Sequence, residues 1–145
     1  MVTCADTSFL FSLYGNDSKT TDAVKWSIQN NEVIWITSLN HFELINALRF
    51  AEGRRFIGAG DSDRFAADFL TDIQSGRLIE RPCDFAGILS EASRISLAHT
   101  LAGGHRGFDI LHVAAARIIG ATHFLTFDTN QKRLAENEGL VVPLS

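Results

Sequence analysis

Apolar and polar positions follow two rhythms along this chain. Short, mainly apolar runs of three to five residues alternate with longer stretches in which apolar residues recur every three or four positions. The first rhythm suits strands covered on both faces, and the second suits amphipathic helices. Read in order, the pattern predicts a strand over residues 2–5, a short helix over 9–14 and a helix over 18–30 with Ala23, Val24 and Ile28 inward. A second strand over 33–36 leads into a helix ending near Gly53, in which Phe42, Ile45 and Leu48 share helical spacing. Beyond a loop at 54–60, Asp61 or Ser62 caps a helix that buries Phe65, Phe69, Leu70 and Ile73 and stops at Gly76. A brief strand at 78–80 is stopped by Pro82. A long helix over 84–102 then turns Ile88, Leu89, Ala92 and Ile95 inward, and Gly103-Gly104 ends it.

The next stretch, residues 106–128, organises the chain. A helix starts near Asp109, and its polar positions Asp109, His112 and Arg117 share one stripe at about 100° per residue. Its other faces are apolar, so it packs on two sides. Gly120 suits the left-handed residue that closes it. Residues 123–127 read as a buried strand with Asp128 at its end, followed by a helix over 129–137 and a last strand over 140–142. Strands alternating with helices predict an α/β fold, a three-layer α/β/α sandwich with a mostly parallel sheet of about five strands, in one domain over 1–145. Right-handed crossovers start every following helix from the carboxyl edge of the sheet, where ligands bind.

Four carboxylates fall at that edge: Asp6, Glu43, Asp109 and Asp128. Each has a local explanation. Asp6 and Asp128 suit helix caps, Asn40 with Glu43 resembles a capping box, and Asp109 suits a helix dipole. Together they would repel one another, and a hard divalent cation removes the repulsion. Oxygen ligands without histidine or cysteine point to Mg²⁺ or Mn²⁺. Thr7, Ser8 and Thr126 lie beside the acids, as turn and cap residues or as holders of metal-bound water. His112, one turn from Asp109, reads as a buried, hydrogen-bonded histidine, with contact to substrate or metal-bound water as the alternative. His41, His99 and His123 carry no functional reading.

Composition narrows the classes. The chain has 145 residues, 46% hydrophobic, enough for a full core. Its net charge of −4 argues against nucleic-acid binding by bulk positive charge, though not against a metal and a local basic patch. Arg49, Arg54, Arg55, His105, Arg106, Lys132 and Arg133 are the candidate phosphate contacts, with a solvated surface as the plainer account of most. Cys4 and Cys83 read as reduced thiols of a cytoplasmic protein. The chain has no apolar run of membrane-spanning length and no basic region before its first strand. The eleven phenylalanines read mostly as core. A phosphoacceptor receiver would need adjacent acids after the first strand, and an aspartate phosphatase would need Asp-x-Asp where this chain has Asp6-Thr7-Ser8.

Asp6-Thr-Ser, the helix with Phe42-Glu43-Leu44, the run Phe108-Asp109-Ile110-Leu111-His112-Val113-Ala114-Ala115, and Leu125-Thr126-Phe127-Asp128 resemble the PIN domain, in the branch of VapC-type toxins. The resemblance spans residues 2–142. It implies a metal-dependent endoribonuclease, with Asp6, Glu43, Asp109 and Asp128 matching the family's acidic positions. It further implies a translation-inhibiting toxin acting on tRNA or rRNA, a small cognate antitoxin and a homodimer. Asn130 departs from the pattern, since relatives often carry a basic residue just after the last acid. The alternative is a catalytically inactive module of the same fold that binds RNA or acts as a scaffold.

Overall fold

The computed structural model describes residues 1–144. Its elements, in chain order, are β1 (Thr3–Ala5), α1 (Thr7–Tyr14), α2 (Thr20–Asn30), β2 (Ile34–Thr37), α3 (Ser38–Gly53) and α4 (Asp61–Ser75). These are followed by β3 (Leu78–Arg81), α5 (Phe85–Gly103), α6 (Gly107–Ile119), β4 (His123–Leu125) and α7 (Thr129–Asn137). The four strands form one parallel sheet in the order β3-β2-β1-β4. About five strands were expected. Residues 140–142 contribute only a single parallel bridge, Val141 to His123, with Phe124 N–H donating to Val141 O at 2.9 Å. Pro143 follows at once and has no N–H with which to extend the ladder.

Alternation along the strands feeds two cores. Cys4 and Phe124 face one side, where Ile88, Ile95, Ile110, Val113 and Leu134 from α5, α6 and α7 cover them. Ala5, Ile34, Ile36, Leu78 and Leu125 face the other side, against Phe9, Leu10, Leu44, Leu48 and Phe69 from α1, α3 and α4. The sheet is therefore buried on both faces, which is why its strands read as apolar runs.

Several helix faces are rotated relative to the pattern. Val24 and Ile28 on α2 are exposed, as are Phe42, Leu70 and Leu89. Five of the eleven phenylalanines, Phe42, Phe50, Phe56, Phe85 and Phe108, are also exposed. α4 begins after Gly60, whose φ of +83° is a left-handed turn, and no side chain caps it. Asp61 instead accepts from Gly58 N–H at 2.7 Å, and Ser62 donates to Glu52. The capping box of α3 pairs Thr37 with Asn40, not Asn40 with Glu43. That leaves the Glu43 carboxylate free for other work.

Candidate active site: an acidic cleft at the carboxyl edge

From β1 the chain steps to β2 and β3 on one side, then returns through β4 to the other side. The strand order reverses at β1, so the crevice lies beyond the carboxyl ends of β1 and β4. Asp6 and Asp128 stand just past those two ends. Asp109 enters from the first turn of α6, and Glu43 from the second turn of α3. Glu43, Asp109 and Asp128 line a cleft of about 550 Å³ together with Thr7, Ser8, Phe11, Ser12, Asp17, Lys19, Ala47 and Phe127.

Asp6 does not line the cleft; it is almost wholly buried behind Ser8, which does. As the N-cap of α1, its Oδ1 accepts from Phe9 N–H and from Ser8 Oγ, each at 2.8 Å. Its Oδ2 accepts from Thr126 Oγ1, which itself accepts from Asp128 N–H at 3.0 Å. Burial pushes the Asp6 carboxyl up to about 6, and these three hydrogen bonds and the nearby His112 only partly offset it. Asp128 caps α7, with Oδ1 accepting from Gln131 N–H at 2.8 Å. Buried Gln131 then donates its amide to Asp109 O at 2.9 Å, tying α7 to the start of α6. The local cap readings of Asp6 and Asp128 are thus true, and Asp128 still stands at the cleft with Asp6 behind its wall.

Asp109 is half-buried, and its carboxyl is raised by burial first and then by the negative charges of Asp128 and Glu43. Arg106 and His112 counter this in part. Glu43 behaves oppositely: burial would raise it, but hydrogen bonds from His112 and Thr7 bring it below the usual carboxylate range. The cleft thus holds mutually repelling carboxylates with little cationic relief, a donor set that fits a hard dication. Among the described residues, no three histidine, cysteine or carboxylate side chains stand together as a ready-made ligand cluster. The fit is to an ion held by one or two carboxylates and several waters, which is how Mg²⁺ is usually bound.

The basic candidates separate. Arg106 is exposed and acts on Asp109. Arg49, Arg54, Arg55, Lys132 and Arg133 do not line the cleft. Arg55 borders a separate hollow with Phe56 and Ile57, Lys132 Nζ donates to Leu144 O at 3.2 Å, and Arg133 is bonded to Asn130. The cation at the cleft wall is Lys19, whose Nζ lies 5.6 Å from the centre of the Phe127 ring. No spacing in the sequence signals Lys19, because the turn before α2 reaches the cleft only through tertiary packing. Asn40, behind Glu43, was likewise legible only as a cap.

A doubly covered parallel sheet with acidic side chains at its switch point defines the class, an α/β protein with an acidic cleft at the carboxyl edge. The chain belongs to the PIN domain family, whose model matches residues 3–137. Solved structures share the fold over nearly the full chain. VapC20 of Mycobacterium tuberculosis, described as a Sarcin-Ricin loop cleaving toxin, is 18% identical with a TM-score of 0.70, and 96% of each chain is covered. VapBC2 from Rickettsia felis, bound to a DNA fragment from its promoter, is 15% identical with a TM-score of 0.66, covering 99% of this chain and 98% of that one. FitAcB from Neisseria gonorrhoeae is 14% identical with a TM-score of 0.61, covering 97% and 96%. At these identities the likeness is one of fold. No curated protein matches the sequence.

Proposed function

We propose that the cleft is the centre of a metal-dependent endoribonuclease, the toxin of a toxin–antitoxin pair that inhibits translation by hydrolysing RNA phosphodiester bonds. The observation that carries the reading is the cleft itself, which Glu43, Asp109 and Asp128 line from three separate elements at the switch point, with Asp6 buried behind Ser8. Asp6, Asp109 and Asp128 are the proposed metal residues, one or two of which would ligate Mg²⁺ or Mn²⁺ directly and the rest through water, with Thr7, Ser8 and Thr126 beside them. When bound, such an ion lowers the pKa of its water and offsets charge on the phosphate and leaving oxygen. Glu43, kept anionic, orients the attacking water and accepts its proton. Arg106 and Lys19 hold the flanking phosphates.

The target class is tRNA or rRNA, in line with the ribosomal-loop activity named for the mycobacterial neighbour. A cognate antitoxin fits the VapBC2 structure. A second copy of this chain is the other partner, and exposed apolar side chains such as Leu97 and Leu101 leave surface for protein contacts. No helix among the described residues is long and apolar enough to cross a membrane, and the site of action is the cytoplasm, where the RNA is.

The test is RNA cleavage with Mn²⁺, with and without chelator, by the wild type and Asp109→Asn. Wild-type cleavage is expected to stop with chelator and to fall at least about 100-fold in the variant. Metal-independent cleavage that survives the substitution sinks the mechanism. The alternative is a catalytically inactive module of the same fold, one that binds RNA or acts as a scaffold. That reading gains if millimolar Mn²⁺ or Mg²⁺ leaves the melting temperature of the wild type unchanged.

A further inference from the structure

His112 is almost wholly buried on α6, one turn beyond Asp109, and its imidazole reaches across to α3. Nε2 lies 2.9 Å from Glu43 Oε1 and 3.3 Å from Thr7 Oγ1. Nδ1 lies 3.3 Å from Asn40 Nδ2. The Asn40 amide cannot turn around without breaking two backbone contacts. Its Oδ1 accepts from Thr37 N–H at 3.0 Å, and its Nδ2 donates to Ala5 O at 3.1 Å. A donor therefore faces Nδ1, Nδ1 must accept, and the ring proton sits on Nε2, aimed at Glu43.

This buried relay starts at the last carbonyl of β1 and ends on a cleft carboxylate. We propose that His112 is a positioning residue for the nuclease reaction: in the tautomer fixed by Asn40 it donates Nε2–H to Glu43 Oε1. Oε2 of Glu43 is thereby left to serve the attacking water. The proposal rests on the nuclease reading of the cleft. It separates His112 from a core histidine that merely satisfies its own nitrogens, because the donated proton lands on a group that faces substrate. Thr7 Oγ1 closes the arrangement from α1, 3.3 Å from the same Nε2. Three helices thus meet at one imidazole, as partners behind a reacting group hold its orientation.

The experiment pairs kinetics with nitrogen-15 NMR of the histidine rings. His112→Gln places an amide N–H near the Nε2 position, whereas His112→Leu fills the space without a donor. With RNA and Mn²⁺, His112→Leu is expected to lose about 10–100-fold in kcat with KM little changed, and His112→Gln to recover most of that loss. In the wild type, His112 should show a proton on Nε2 and none on Nδ1, and the Nε2 resonance should shift in Glu43→Gln. A folded His112→Leu within twofold of wild-type kcat overturns the proposal. So does a wild-type ring protonated on Nδ1 alone, a reading that needs no variant to fold. Wild-type protein that cleaves no RNA sinks the nuclease reading instead, and the NMR arm then decides alone whether His112 holds Glu43.

Discussion

Asp6 shows at the scale of one residue how a site and its fold oppose each other. Its carboxyl moves from 3.8 in the free side chain to about 6 in the folded protein, mainly through burial. Between those values the folded protein holds a proton that the unfolded chain has released, so metal-free stability falls as pH rises through that window. At neutral pH the cost is on the order of 3 kcal/mol relative to a neutral isostere. Asp6→Asn keeps an acceptor for Ser8 and Phe9 N–H, and the Thr126 hydroxyl can rotate to accept. The variant is expected to be more stable than wild type at pH 7 without metal, equal to it near pH 4, and inactive on RNA. Urea titrations at the two pH values check the sign. The residue is thus kept at a thermodynamic loss, as expected of a side chain retained for chemistry.

The elements explain what could be read from the chain and what could not. The shared edge of Asp6, Glu43 and Asp128 was legible because a parallel sheet brings every strand end to one side, and Asp109 reaches it because α6 starts there and leads back into β4. Helix faces were less legible. Ala23, Val24 and Ile28 match an inward spacing on α2, yet only Ala23 is buried, because the stripe through Ala23, Trp26 and Ser27 faces the core and Val24 and Ile28 fall beside it. A short amphipathic helix with apolar residues on two faces does not declare which one the sheet will take. Asn40 misled for a related reason: its own cap bond to Thr37 satisfies the helix start, so Glu43 was never needed there. The connection between α5 and α6 carries a prediction of its own. A Cβ on Gly103 would stand 2.4 Å from His105 Nε2, and that ring is buried and bonded through Nδ1 to Asn130 on α7 at 3.2 Å. Gly103→Ala is expected to cost about 1–3 kcal/mol in denaturant unfolding, because the ring must give up its Asn130 bond to clear the methyl.

Across the whole molecule, charge and topology set how substrate arrives. With a net charge of −4 the protein as a whole repels polyanions, so under the proposed function RNA capture falls to a few local cations. Lys19, resting on Phe127 at the cleft wall, is the one that composition could not reveal. Lys19→Glu is expected to raise KM for RNA at least about fivefold, with kcat and melting temperature little changed, and to flatten the salt dependence of KM. Steady-state kinetics at two salt concentrations test this.

Among the described elements β1 precedes all the others in the chain, but its second neighbour, β4, and the last acid come only at residues 123–128. A nascent chain therefore carries no assembled cleft until Asp128 has been made. Under the proposed toxin function, this order of emergence keeps the cleft from forming while its strands are still being made.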